Sequence, residues 1–329
     1  MDKTIGWGII GCGSIANSFA EGLKPLKNAR LAAVAARDGE RARDFAAKHG
    51  FEKSYPDYEQ LAQDPDVDVV YIATIHPTHM QNTLLCIENG KSVLCEKPFA
   101  MNEQQAKRMV EAAKTADIFL MEAMWTRFLP SVIQTRKLLT EDMIGEIKCL
   151  SADFGFKAER DEQSRLLDPL LGGGALLDVG IYPISFASML FGCQPKDIKS
   201  IVEIGHTGAD EKAMIIMDFG NQRFANLACA VNTTTGQDAV ICGENGLIRI
   251  DTFWRSEKIT LQIAGGEPQL INCPFATGLN GYSYEAMAVT EDIINGQKEN
   301  SIMPLSETLE IMNTLDRIRG EWKLKYPCE

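Results

Sequence analysis

Over the first 121 residues, short apolar runs alternate with stretches of helical periodicity. Residues 4–10, 31–36, 67–73, 92–95 and 118–121 are apolar and partly β-branched, as strands buried on both faces require. Between them lie patterns with an apolar stripe, such as Ile15, Phe19 and Leu23, and helix-like segments at 80–89 and 102–115. Strand and helix in strict alternation predict a doubly wound parallel sheet. Helices are expected at 131–140, after 172–174 through about 190, at 284–295 and at 306–325. Between residues 198 and 271 the pattern becomes strand alternation broken by polar turns, Gly220-Asn221 and Gly243-Glu-Asn-Gly246 among them. That predicts a second α+β domain with a large, mostly antiparallel sheet, helices on one face and the other face open. The expected boundaries are 1–123 and 124–329, with the C-terminal helix able to pack back on the first domain. Apolar residues in both phases, as in Ala213-Met-Ile-Ile-Met217, point to an interface, hence a homodimer or larger assembly.

Composition narrows the partners. Thirty-three basic against 45 acidic residues give −12, a poor match for nucleic acid or anionic membrane surfaces. No run approaches the roughly 18 apolar residues of a membrane span. The N-terminus carries no signal-peptide pattern, and nine cysteines include no CxxC pair, so a reduced, cytoplasmic protein is expected.

The chemistry-bearing residues gather at the ends of the predicted strands. Gly11-Cys-Gly13-Ser14-Ile15-Ala16 is a GxGxxA between strand and helix. The first glycine permits the turn, the second admits a pyrophosphate to the backbone, and Ala16 lets helix and strand pack closely, so a dinucleotide is the expected ligand. The second strand ends in Arg37 rather than an acid, and a guanidinium suits a 2′-phosphate, which favours NADP over NAD. Asp38 competes as a ribose ligand, with helix N-cap as its other reading. Thr74, His76 and His79 follow the strand at 67–73; the two histidines lack further metal ligands and read as a loop beside the cofactor, with a helix starting near Thr78. Glu96-Lys97-Pro98 sets a cation at a strand's carboxyl end, where open α/β sheets bind ligands. Trp125 and Arg127 lie on the passage between domains, facing either the nicotinamide or a packed interface. Asp178 and Tyr182, four apart after Gly172-Gly-Gly, share a helix face and form a candidate acid–base pair.

Taken together, Gly11-Cys-Gly13-Ser-Ile-Ala16, Glu96-Lys97-Pro98 and Gly172-Gly-Gly-Ala-Leu-Leu-Asp178-Val-Gly-Ile-Tyr182-Pro183 resemble the glucose–fructose oxidoreductase/inositol dehydrogenase (Gfo/Idh/MocA) family across essentially the whole chain. Ala35-Ala-Arg-Asp38 and Glu122-Ala-Met-Trp-Thr-Arg-Phe128 look closest to its dihydrodiol and D-xylose dehydrogenase branch. The resemblance implies a Rossmann domain, an open-sheet α/β domain and NAD(P)-dependent hydride transfer with a sugar or cyclic diol. Lys97 matches the family's catalytic lysine and Asp178 its substrate-site aspartate. Tyr182 stands where many members have His, and His76 where many have Asn. The implied chemistry has Tyr182 taking the hydroxyl proton, Lys97 holding the substrate oxygen and favouring the phenolate, and Asp178 orienting Lys97 or a substrate hydroxyl. An NAD-dependent glycosidase and a non-catalytic NADP-sensing regulator are the competing functions.

Overall fold

The computed structural model describes residues 3–329. The chain forms two compact units, each drawn from two stretches: described residues through Trp125 with Ala276–Leu309, and Thr126–Phe275 with Glu310–Glu329. The single boundary expected near residue 123 therefore captures only the first passage between units.

In the first unit, β1 (Ile5–Ile10), β2 (Ala29–Ala35), β3 (Lys53–Tyr55), β4 (Val69–Ile72), β5 (Ser92–Glu96) and β6 (Leu120–Ala123) form one sheet in the order β3-β2-β1-β4-β5-β6. Every pairing is parallel. All six residues of β1 are buried, as are all four of β4, which explains their unbroken apolar runs. The connecting helices are α1 (Ser14–Leu23), α2 (Gly39–His49), α3 (Tyr58–Gln63), α4 (His79–Glu88) and α5 (Glu103–Ala116). Local chemistry fixes their ends. Asp38 accepts from the Glu40 and Arg41 amides and Gly50 closes α2 in the left-handed region, while Asn102 caps α5 through the Gln105 amide. Residues 276–309 return to this unit because a later helix, Gly281–Ile294, packs on α1. There Asn280 Nδ2 and Ser283 Oγ donate to the Ser18 and Gly22 carbonyls, and the Trp7 indole donates to Thr290.

In the second unit, α6 (Pro130–Thr140) precedes β7 (Ile147–Gly155), and α7 (Ile181–Phe191) precedes seven further strands. These are β8 (Asp197–Ile204), β9 (Asp210–Gly220), β10 (Arg223–Ala230), β11 (Ala239–Gly243), β12 (Gly246–Ile250), β13 (Lys258–Ile263) and β14 (Gln269–Asn272). Their order is β14-β13-β12-β11-β7-β10-β9-β8, antiparallel except where β10 runs parallel to β7. α7 covers β7 and β10 on one face. The other face exposes Ile201, Met214, Ile216 and Phe224. The helix Gly281–Ile294 is α8, and Leu305–Trp322 is α9. The stretch Pro169–Phe191 is long and apolar enough by composition to cross a membrane, but 89% of its apolar window is buried inside the protein, so it reads as a core helix.

Candidate active site

The glycine loop between β1 and α1 has the shape a dinucleotide needs. Gly11 adopts φ +101°, and a β-carbon there would lie 2.6 Å from the Ala73 carbonyl oxygen, so the turn tolerates only glycine. A β-carbon at Gly13 would meet no atom within 4 Å; the backbone faces open space. α1 starts without a side-chain cap, and its first turn carries no acid, leaving its amides available to an anion. Ser14 is exposed and Ile15 half-buried at this rim, while Ala16 is packed at 0% exposure. These residues fit a nucleotide pyrophosphate. Arg41, which sequence reasoning passed over, donates to the Cys12 carbonyl at 2.7 Å and braces the loop. Asp38 is the α2 N-cap, and Arg37 beside it is exposed at the end of the strand.

The β5 terminus is built on carboxylates. Glu96 accepts from the Tyr71 hydroxyl and, at 3.1 Å, from the Lys97 amide, while Glu122 accepts from the Phe99 amide at 3.2 Å. Tyr71 stacks on Phe19 with ring centroids 3.7 Å apart, which locks the phenol in place. Lys97 itself is half-buried and joined to Pro98 by a cis peptide bond. Behind this cluster lies Glu285 of α8, fully buried, with no hydrogen-bond donor to either oxygen among the described residues. Burial pushes its carboxyl well above the usual range, and the Glu96 charge adds to the effect.

Two expected cofactor contacts have other work. His79 is 0% exposed, with Nδ1 2.9 Å from the Pro98 carbonyl oxygen and Nε2 3.0 Å from that of Thr74. It ties the β4 end to the Lys97–Pro98 turn rather than facing a ligand, and burial lowers its pKa. Arg127 is 2% exposed and donates to Ser185 Oγ (3.0 Å) and the Ser185 carbonyl (2.7 Å), clamping α7 within the second unit. A guanidinium buried among such acceptors satisfies its fork internally. Thr74 is half-buried at the strand end, where its hydroxyl accepts from Asn82 Nδ2. His76 is 8% exposed, edge-on to His79. Trp125 stays with the first unit, stacked on Tyr282 at 4.6 Å.

In the second unit, the stretch holding Asp178 and Tyr182 is not a plain α-helix. Leu176–Gly180 forms a π turn, and α7 begins at Ile181, so Pro183 falls in its first turn, where a missing amide costs little. Asp178 is 5% exposed and accepts from Arg165 at 2.8 Å. Tyr182 is 7% exposed and stands edge-on to Phe154 at 5.2 Å; Phe154 in turn stacks on Trp254 at 4.8 Å. The Trp254 indole donates to Gln237 at 2.9 Å, and Thr126 donates to its carbonyl, so the wall is rigid. Arg165, Phe154 and Trp254 were missed from sequence because each comes from a different, distant element. The entry to the π turn is held by Asp210, whose Oδ2 accepts from the Leu176 amide at 2.6 Å. Gly174 has φ +139°, and a β-carbon there would fall 2.2 Å from Asp210 Oδ1 and 2.9 Å from the Tyr326 hydroxyl. The glycines thus admit a buried carboxylate to the backbone. Burial pushes Asp210 up to about 7, against the lowering effect of the Leu176 hydrogen bond. Lys97 belongs to one unit, and Asp178 and Tyr182 belong to the other.

Comparison with known proteins agrees with this fold. Residues 5–124 match the model of an oxidoreductase family with an NAD-binding Rossmann fold, and residues 132–249 match the GFO/IDH/MocA C-terminal domain. The trans-1,2-dihydrobenzene-1,2-diol dehydrogenase of Xenopus tropicalis is 37% identical, over 98% of this chain and 99% of its own length. The aldose-aldose oxidoreductase of Caulobacter crescentus, solved with glycerol, has the same fold, with a TM-score of 0.89 at 24% identity over 98% of both chains. So does a 3-ketoreductase from Actinomadura kijaniata in complex with NADP and TDP-benzene, at TM-score 0.86 and 22% identity over 97% of this chain and 98% of that one. With its glycine cradle, its lysine-bearing strand end and both family domains matched in order, the chain belongs to the GFO/IDH/MocA family of NAD(P)-binding oxidoreductases.

Proposed function

We propose that the protein is an NADP-dependent dehydrogenase that interconverts a CH–OH group and a carbonyl on a cyclic trans-diol or a sugar in its ring form. The observation carrying this reading is Tyr182 standing edge-on to Phe154, itself stacked on Trp254. A proton acceptor beside a flat apolar wall suits the face of a ring and leaves an open-chain polyol poorly held. The 37% identity to a dihydrodiol dehydrogenase over nearly the full length of both chains supports the same substrate class.

When bound, the nicotinamide dinucleotide supplies the hydride acceptor. The chain's own residues do the rest. The amides at Gly13–Ser14 hold the pyrophosphate, and the exposed Arg37 takes the 2′-phosphate. Lys97 holds the substrate oxygen through its ammonium, with Glu96 fixing its backbone amide. Tyr182 takes the hydroxyl proton. Asp178, held by Arg165, orients a substrate hydroxyl. The open apolar face of the second sheet, with Ile201, Met214, Ile216 and Phe224, supports assembly with a second copy.

The test is a panel of cyclic trans-diols, aldoses and open-chain polyols with NADP⁺ and NAD⁺, read as reduced-nicotinamide absorbance. Cyclic diols or pyranoses with NADP⁺ are expected to give the highest kcat/KM. Turnover confined to open-chain polyols would contradict the substrate class. Release of a glycosidic leaving group without net reduced cofactor would point to a glycosidase, and cofactor binding with no turnover on any substrate would point to a sensor.

A further inference from the structure

The wall beside Tyr182 is tied together by one residue that the proposed chemistry does not use. Gln237 lies half-buried in the loop between β10 and β11, with φ +62°, in the left-handed region. Glycine, asparagine and aspartate enter that region most readily; a longer side chain is strained there and persists only where its surroundings over-determine it. Four hydrogen bonds do so here. The Gln237 amide donates to Asp153 Oδ2 at 2.7 Å, and the Gln237 carbonyl accepts from the Phe253 amide at 2.9 Å. In the side chain, Nε2 donates to the Gly155 carbonyl at 2.8 Å and Oε1 accepts from the Trp254 indole at 2.9 Å. Asp153 and Gly155 flank Phe154 on β7, and Phe253 precedes Trp254. One residue thus grips the chain on both sides of Phe154 and the ring of Trp254. Stacking alone does less. Phe154 lies at 13° to the Trp254 ring, and the Arg255 guanidinium sits over that ring at 4.7 Å. Such contacts fix the plane of an indole but let it turn within that plane. A hydrogen bond at the indole edge removes the turn. An indole N–H only donates and a peptide carbonyl only accepts, so the tie needs an acceptor and a donor on one side chain. Glutamine supplies both; ionised glutamate lacks the donor, and lysine and arginine lack the acceptor.

We propose that Gln237 is a positioning residue: it fixes the in-plane orientation of Trp254 against Phe154, beside Tyr182, and thereby sets the preference for ring-shaped substrates. The inference rests on the reading of Phe154 and Trp254 as the substrate wall. Gln237 acts through Trp254 and has no part in the proton step. The loop itself does not hang on the Gln237 side chain. Both backbone bonds of Gln237 remain without it, and Asp238 repeats the tie: its carbonyl accepts from the Asp153 amide at 3.1 Å and its Oδ1 from the Thr252 amide at 3.2 Å.

The experiment compares the native full-length protein with Gln237→Gly and Gln237→Asn. Both replacements are at home in the left-handed region, and neither spans Trp254 and Gly155 together. Circular dichroism and melting temperature report that the variants fold. The first readout needs no substrate: acrylamide quenching of the Trp254 emission, taken as the difference between each protein and its Trp254→Phe counterpart. Quenching should rise in both variants. The second is kcat/KM for a cyclic trans-diol divided by kcat/KM for an open-chain polyol. That ratio should fall ~3–10-fold, the loss expected of one neutral hydrogen bond, carried by the KM of the cyclic substrate rather than by kcat. Unchanged quenching would overturn the proposal, because Trp254 is then held without Gln237. Raised quenching with an unchanged ratio would overturn it too, because the orientation of Trp254 then has no bearing on the substrate. A native protein without preference for rings would instead contradict the substrate class, and quenching would still decide whether Gln237 holds the wall.

Discussion

Each unit hides an acid behind the element that carries its candidate catalytic side chain, and the two acids are held differently. In the first, Glu285 backs the Glu96–Lys97 strand end with neither oxygen hydrogen-bonded among the described residues, and the Glu96 charge pushes its carboxyl further up. In the second, Asp210 backs the Asp178–Tyr182 helix with one oxygen on the Leu176 amide, and its pKa rises only to about 7. Both are fully buried. Burial raises both carboxyls; the backbone donors and the nearby Arg319 charge hold Asp210 back, whereas the Glu96 charge pushes Glu285 further up. The strand end is thus backed by an acid with no donor of its own among the described residues, whereas the helix entry is backed by one that holds a backbone amide.

The largest effect is expected at the strand end. Lys97→Ala removes the ammonium proposed to hold the substrate oxygen and should lower kcat by at least ~10²–10⁴. Lys97→Arg should restore little, because a planar fork does not replace a compact ammonium. Steady-state kinetics on the best panel substrate checks both.

Gly174→Ala attacks the helix entry. It puts a β-carbon against Asp210 and Tyr326 at a backbone angle foreign to L side chains. A loss on the order of 3 kcal/mol is expected from strain and overpacking together, measured by urea denaturation. Unchanged stability would mean the Asp210 contact is not fixed.

On the cofactor side, Arg37→Asp should erode or invert NADP preference. A charge-assisted phosphate contact is worth ~1.5–3 kcal/mol, about ten- to a hundredfold in affinity. Equal binding of NADP⁺ and NAD⁺ by the unaltered protein would remove the argument from Arg37.

The smallest effect tests both acids. Asp210 has a folded pKa near 7, above the ordinary 3.8. Between those values the folded state holds a proton the unfolded state lacks, so this group's contribution to stability falls as pH rises from about 4 to about 7, then levels off. Asp210→Asn keeps an acceptor for the Leu176 amide without the charge, and should flatten that fall. Glu285→Gln should likewise flatten a fall in stability that starts in the ordinary carboxylate range, because burial and the Glu96 charge raise the Glu285 carboxyl as well. Melting temperatures across pH 4–9 measure both; a pH dependence that a variant leaves unchanged would contradict the account of that acid.

The first sheet, its glycine loop and the lysine-bearing strand end were legible in the sequence because their signals are local. Gly11, Gly13 and Ala16 announce themselves by their own spacing, and β1 and β4 show their burial in their own composition. The second sheet's strands were legible as alternation, but not the partners that build its site. Arg165 on Asp178, Phe154 beside Tyr182, Trp254 stacked on Phe154, and Asp210 under Gly174 are 13 to 100 residues away from their targets. No periodicity encodes such a meeting. The π turn escaped for a related reason, because the mostly apolar stretch Leu176-Leu-Asp178-Val-Gly-Ile181 reads the same whichever way its turns close. Arg127 and His79 looked like ligand contacts because charged and imidazole side chains near a cofactor loop usually are; burial against Ser185, Pro98 and Thr74 gives them structural work instead.

The central claim is that Tyr182, seated against Phe154, takes the substrate proton. Tyr182→Phe keeps the ring and its packing and removes only the hydroxyl, so fluorescence-titrated NADP⁺ affinity and kcat on a cyclic trans-diol test it directly. The account predicts unchanged NADP⁺ affinity and a kcat lower by ~10²–10⁴; undiminished turnover would contradict it and leave Tyr182 a packing residue.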